Sequence, residues 1–190
     1  MVEAFSGIFT AFGLSASAGL NAYLPLLIVA LVARFTSLIT LSPPYDHLAD
    51  GWVIGVIAVL LVIELFADRV AGLDTANDIL QTFVRPTAGA ILFAASGNVI
   101  GDMHPVLALI CGLIVAGGVH ATKATVRPVV TGTSGGLLNP VVSTAEDVTA
   151  FVLTVVSILI PLLIGFLLGA LFIGVLWWLP RRSRRREQPR

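Results

Sequence analysis

Residues 105–127 read PVLALICGLIVAGGVHATKATVR. From Pro105 to Val119 there is no charged side chain, and a proline at the head of the run suits a first helical position, where an N–H would lack a partner anyway. The run is continuous and does not alternate with period two, so it reads as a helix of membrane-spanning length. His120, Lys123 and Arg127 then fall within about 60° of one another on the helix surface. An apolar helix that ends in a cationic face sets the class of the fold.

Composition extends that reading to the whole chain. Its 190 residues are 57% hydrophobic and 12% charged, with a mean hydropathy of +0.98. A soluble domain is about 45–50% apolar and about 25% charged. A chain of this length has one domain's worth of interior, too little to hide that much apolar surface. The solvent is therefore lipid, where every backbone polar group needs an internal partner and only helices or closed barrels survive. The expected fold is all-α: a polytopic transmembrane helical bundle of about five or six membrane-embedded helices, some broken or re-entrant. One domain spans residues 1–180, and an Arg-rich, disordered tail spans 181–190.

The remaining elements follow from their punctuation. The first apolar stretch, Ala4 to Arg34, holds the small and polar segment Gly13-Leu-Ser-Ala-Ser-Ala-Gly-Leu-Asn21 and then Pro25. Such residues weaken a helix interior, so a break is expected there. Thr36 to Gly51 is a loop, and Trp52 anchors a second span that runs to Phe66. Asp74 to Arg85 reads as a short amphipathic helix with Asp74, Asp78, Gln81 and Arg85 on one face, and Pro86 starts the next span. Gly101 to His104 is a turn, and residues 128–140 are a Gly/Ser/Thr-rich loop. Ser143-Thr-Ala-Glu146 has the pattern of a capping box that starts the last helical region. From Val148 to Leu179 that region exceeds one span, and Pro161 near its middle marks a kink or a tight hairpin.

Charge chooses between those two. Six of the eleven basic residues lie after Pro180. With a hairpin at Pro161, Arg69, Arg85, Lys123, Arg127 and the tail share one side, which the positive-inside rule assigns to the cytoplasm. An internal echo is also visible in the two halves of the chain. Gly13 to Asn21 resembles Gly132 to Asn139, each followed by a proline, and Val84-Arg85-Pro86 resembles Val126-Arg127-Pro128. Paired interrupted segments of this kind mark a pseudo-repeat with broken helices around a binding site.

The charges in and beside the spans are the candidate functional residues: Glu64, Asp68, Asp74, Asp78, Arg85, His120, Lys123, Arg127, Glu146 and Asp147, joined by Asn21 and Asn139 on the broken segments. The cationic face of residues 120–127 is expected against the acidic pairs of the second span and the short helix. Two arrangements fit. The charges snorkel to water at the inner interface, or they line a polar cavity that relays protons through Glu64 or His120, or holds an anion on Lys123 and Arg127. No metal or cofactor is expected. Gly132-Thr-Ser-Gly-Gly lacks the lysine of a phosphate loop, Asp74 and Asp78 lack a calcium-loop pattern, and no nucleophile motif is present. The lone Cys111 cannot form an internal disulfide.

Residues Gly13-Leu-Ser-Ala-Ser-Ala-Gly-Leu-Asn-Ala-Tyr-Leu-Pro-Leu-Leu27, Glu64-Leu-Phe-Ala-Asp-Arg69 with Asp74 and Asp78, Arg85-Pro86, and His120-Ala-Thr-Lys123 with Arg127 together resemble a bacterial polytopic membrane-protein family, domain of unknown function 4126. The resemblance covers roughly Ser6 to Pro161. It implies a bacterial inner-membrane protein whose characteristic residues are these charges, and it transfers no mechanism. The expected function is passage of a small solute or ion. The alternatives are a scaffold whose tail docks anionic lipid or a partner, and an enzyme acting on lipid head groups. No nucleic-acid partner is expected, the C-terminus is expected in the cytoplasm, and a homodimer is compatible with each reading.

Overall fold

A computed structural model describes residues 2–68, 73–96, 103–159 and 169–170, with side chains from Gly7 onward except those of residues 73–76 and 78. Among the described residues there are six principal α-helices and no strand: α1 (Val2–Leu20), α2 (Tyr23–Phe35), α3 (Gly51–Ala67), α4 (Leu73–Ala95), α5 (Pro105–Ser134) and α6 (Asn139–Leu159). One 3-10 turn, Tyr45–Ala49, precedes α3. Helices α5 and α6 are long and apolar enough to cross a membrane, and the other apolar helical stretches are shorter.

The first stretch does break, but at Asn21 and Ala22, after the small-residue segment. The Asn21 side chain stabilises the restart, because its Oδ1 accepts from the Leu24 amide at 2.9 Å. Pro25 then sits in the first turn of α2, where a missing N–H costs little. Gly13 to Gly19 stay helical and serve close packing: a Cβ on Gly19 would lie 2.6 Å from the Ala116 carbonyl oxygen of α5.

Contacts fix the helix directions. Ser15 of α1 donates to the Gly112 carbonyl of α5 at 2.8 Å. Gly19 meets Ala116 further along both helices, so α1 and α5 run parallel. On α4, Arg85 meets His120 and Gly89 meets Ala116, so α4 runs antiparallel to α5. On α6, Ser157, Ala150 and Asp147 meet Thr10, Ser17 and Asn21 in that order, so α6 runs antiparallel to α1. Helix α2 turns back: the Ser42 amide beyond it donates to the Ala95 carbonyl at the end of α4, and Tyr45 packs against Ala11, Phe93 and Ala108. That is the end at which α1 enters, where Phe12 and Phe93 meet edge to face at 5.0 Å. Helices α1 and α2 thus form a hairpin that enters and leaves the bundle at one end, with its tip at Asn21–Ala22. Leu14, Ala18, Leu26 and Val29 pack within it against Ile57, Ala88 and Leu92.

Three boundaries differ from the sequence reading. No separate amphipathic helix ends before Pro86: α4 runs through it. The proline removes one amide donor, and the helix continues through it, with the neighbouring Thr87 hydroxyl donating to the Phe83 carbonyl at 2.7 Å. Likewise α5 runs through Pro128 to Ser134, with Thr133 and Ser134 hydroxyls bonded back to Val129 and Val130 carbonyls. The expected loop shrinks to Gly135–Leu138, where Gly135 and Gly136 have φ of +60° and +85°, the left-handed conformation that closes a helix. Ser143 does not cap: α6 starts one turn earlier at Asn139, and Ser143 is buried inside it. The residue types matched a capping box, but Ser143 is committed to a tertiary contact with Arg127. Pro105 does open its helix, with the His104 ring accepting from the Val106 amide. The choice between kink and hairpin at Pro161, the turn at Gly101–Asp102 and the tail lie outside the described residues.

The two echoes fare differently. Residues 13–20 lie within one helix, whereas 132–139 span a helix end, a turn and a helix start, so that likeness is not a shared conformation. Val84-Arg85-Pro86 and Val126-Arg127-Pro128 do share one: each is mid-helix with a buried arginine followed by a tolerated proline.

Candidate functional site

At the end opposite the loop bearing Tyr45, helices α3 to α6 present polar residues at helical spacing. Glu64 and Asp68 are one turn apart at the end of α3. Asn77, Gln81 and Arg85 recur every fourth residue on α4 and share a face. The inward row of α5 is Ala108, Gly112, Ala116, His120, Lys123 and Arg127. It is small where Ser15 and Gly19 of α1 and Gly89 of α4 come close, and polar or charged from His120 onward. Helix α6 contributes Asn139, Ser143, Glu146 and Asp147, and the hairpin tip contributes Asn21.

Arg85 is the centre. One Nη2 lies 3.2 Å from Glu64 Oε1 and 3.9 Å from Asp68 Oδ2. Its Nη1 lies 3.3 Å from His120 Nδ1, and His120 Nε2 lies 3.1 Å from the Thr82 hydroxyl. A guanidinium can only donate, so His120 Nδ1 accepts, and Nε2 carries the hydrogen and donates to Thr82. Asp68 Oδ1 accepts from Asn77 at 2.7 Å.

The antiparallel pair α5 and α6 is zipped by three rungs: Lys123 to Glu146 at 2.7 Å, Arg127 to the Ser143 hydroxyl at 2.6 Å, and the Thr131 hydroxyl to Asn139 at 3.0 Å. Ser143 also donates, at 3.4 Å, to the backbone carbonyl of Asp68, which ties the zipper to α3. From the hairpin tip, Asn21 Nδ2 donates to Asp147 Oδ1 at 2.9 Å. Below it Ser17 bonds the Ala150 carbonyl and the Thr154 hydroxyl. Tyr23, just past the tip, is within electrostatic reach of Glu64 and Arg85.

These groups do not snorkel outward. Arg85 is fully buried, Glu64 is 1% exposed, and Asp68, His120, Lys123 and Arg127 are buried too. Large apolar side chains take the surface instead: Phe66, Phe83, Leu113, Ile114 and Val129 are all exposed. Four carboxylates, Glu64, Asp68, Glu146 and Asp147, face three cations, Arg85, Lys123 and Arg127. Buried charges persist only when paired and hydrogen-bonded, and in a low dielectric each removal is felt by its neighbours.

Eight candidates from the sequence therefore meet in one cluster: Glu64, Asp68, Arg85, His120, Lys123, Arg127, Glu146 and Asp147. Asn21 joins them through Asp147. Asn139 lies at the outer rung of the zipper. The side chains of Asp74 and Asp78 lie outside the described residues. The expected pairing changes partners: Arg85 on α4 takes the acids of α3, while Lys123 on α5 takes Glu146 of α6. Helical spacing puts residues on a face but does not say which helix lies across it. Sequence reasoning missed Asn77, Thr82 and Ser143 as site residues and placed Gln81 on the polar stripe without a role. The fourfold recurrence of Asn77, Gln81 and Arg85 was the available signal. Among the described residues no group of three or more His, Cys, Asp or Glu is arranged to hold a metal ion.

No curated protein and no solved structure matches the chain. One family model does match, over residues 8–182, further than the likeness traced from Ser6 to Pro161. The chain thus belongs to the family described as a domain of unknown function, DUF4126.

Proposed function

We propose that this chain is a multi-pass protein of a bacterial inner membrane that passes a small solute or ion through the polar cluster, with about five or six membrane-embedded helices and its C-terminus in the cytoplasm. The observation that carries the reading is the burial of five charged side chains, Glu64, Asp68, Arg85, Lys123 and Arg127, with Glu146 and Asp147 half-buried beside them, in one mixed-sign cluster beneath the tip of a helical hairpin. Burying charge inside an apolar bundle is costly and is retained chiefly where ions or polar substrates must go. The hairpin supports it further. Helix α2 has 13 residues, about 20 Å at 1.5 Å per residue, short of a hydrocarbon core of about 30 Å. Its tip therefore ends within the membrane, where irregular backbone is tolerated only against protein or a water-filled cavity. The apolar exterior supports lipid as the surrounding partner, and the Arg-rich tail suits contact with anionic head groups. Each half of the reading is compatible with a homodimer.

The test is proton and ion flux in proteoliposomes under an imposed gradient, wild type against Arg127→Gln. Flux that is lost in a variant still eluting as a single folded species supports the pathway. Flux unchanged in Arg127→Gln, and likewise after neutralising Glu64, Asp68 and Lys123 in turn, refutes it.

A further inference from the structure

Glu64 and Gln81 each bury an acceptor that no donor fills. Glu64 Oε1 takes Arg85, but Glu64 Oε2 is buried with no hydrogen-bond donor. Gln81 is 2% exposed, and its Oε1 is buried with no donor either. The two belong to one small region. Glu64 pairs with Arg85 and Asp68 pairs with Asn77 across antiparallel α3 and α4. Gln81 stands midway between Asn77 and Arg85 on the same stripe, and helical spacing turns it toward the stretch of α3 from Glu64 to Asp68. Two acceptors cannot satisfy each other. One proton resolves both: a protonated carboxyl becomes a donor, and an amide oxygen is a suitable acceptor.

Charge counting agrees. Lys123 is held by Glu146 at 2.7 Å. Arg85 is shared between Glu64 and Asp68, at 3.2 Å and 3.9 Å. Asp68 already has a neutral donor in Asn77, while the second oxygen of Glu64 has none. His120 cannot take up the surplus, because its Nδ1 lone pair is occupied by Arg85 and its Nε2 hydrogen by Thr82. The groups that face Glu64 from the packed helices are Tyr23 of α2, Asp68 of α3, Arg85 of α4 and Lys123 of α5, with Glu146 of α6 paired to Lys123. A buried anionic oxygen without a donor is costly, and a proton on that oxygen removes the cost.

We infer that Glu64 is a proton-binding site of the cluster, holding a proton on Oε2 that it donates to Gln81 Oε1. The proton comes from water and returns to water. Arg85 keeps its bond to Oε1 in both states, so one proton changes the charge of the cluster without dismantling it. The inference rests on the proposed pathway, since a carboxyl that binds and releases a proton there would couple passage to a proton gradient.

The test is infrared spectroscopy of the full chain in lipid nanodiscs at neutral pH, with no gradient and no solute. The carboxylic acid C=O stretch, separate from carboxylate and amide bands, is expected in wild type, with the downshift of an exchangeable proton in D2O. It is expected to be lost in Glu64→Gln and kept in Asp68→Asn. In Gln81→Leu it is expected at higher frequency, because the proton has lost its acceptor. No such band in wild type, its survival in Glu64→Gln or its loss in Asp68→Asn would each overturn the assignment. A band unmoved in folded Gln81→Leu would overturn the role of Gln81. The readout needs no transport. A band without flux leaves the proton site standing and the pathway refuted, and flux without a band does the reverse.

Discussion

Gly112 and Gly118 lie on the same helix and invite the same substitution with opposite outcomes. A Cβ on Gly112 would sit 2.5 Å from the Gly89 carbonyl oxygen, 2.7 Å from Ala90 Cα and 2.7 Å from Phe93 Cβ. The first two are backbone atoms of α4, so no side-chain rotation relieves them, and α4 and α5 must separate. Overpacking of this kind costs about 1–3 kcal/mol. The displaced Gly112 carbonyl also loses the Ser15 hydroxyl, now at 2.8 Å, a net loss of about 1 kcal/mol. Against this, alanine is better than glycine in a helix interior by about 1 kcal/mol. Gly112→Ala is therefore expected to lose about 2 kcal/mol, or about 4–8 °C in Tm for a chain of this size. A Cβ on Gly118 meets nothing within 4 Å. Only the propensity term remains there, so Gly118→Ala is expected to gain about 0.5–1 kcal/mol. The chain supplies its own reporter: Cys111, its only cysteine, is half-buried. A thiol-reactive fluorophore followed against temperature reads the exposure of Cys111 on unfolding. If both variants melt together, α4 and α5 are not in backbone contact at Gly89 and Gly112, and the packing described for this bundle is wrong.

Two further outcomes test the site and the hairpin. Removing one partner of the Lys123–Glu146 pair leaves a buried charge, so Lys123→Met or Glu146→Leu alone is expected to cost about 3–5 kcal/mol, while the double variant recovers most of it; SDS-titrated unfolding of all four proteins measures the coupling, and additive losses would mean that the pair is not made. For the hairpin, single cysteines in a Cys111→Ser background at Ser37 and at His104 are expected to react with a membrane-impermeant reagent from the same side of the membrane, and one at Leu137 from the other. Ser37 labelling together with Leu137 would mean that α1 and α2 cross the membrane as one unit.

Proline and serine mark where one-dimensional reading stopped. Pro86 and Pro128 read as boundaries because a proline removes a backbone donor, and nothing local says whether neighbouring groups will keep the helix going. Thr87 beside Pro86, and Thr133 and Ser134 beyond Pro128, bond back to the helix, which continues. Ser143 read as a cap because its spacing to Glu146 fits one, but its hydroxyl serves Arg127 on another helix. In each case the residue type was right and the partner was unknown.

The sequence by itself determined the helical class, the apolar exterior and the identity of the charged set, because continuous hydrophobic runs and 3.6-residue periodicity are local properties of the chain. It also announced a break in the first apolar stretch, though at the small-residue segment, where the helix in fact continues to Leu20 and breaks at Asn21–Ala22. Only the tertiary structure decided that α2 turns back, that Arg85 and not Lys123 bonds Glu64, and that Glu64 and Gln81 each bury an oxygen without a donor. Those facts depend on which helix lies across from which. That choice is made by the close approach of Gly19, Gly89, Gly112 and Ala116, contacts between residues far apart in the chain that no local pattern encodes.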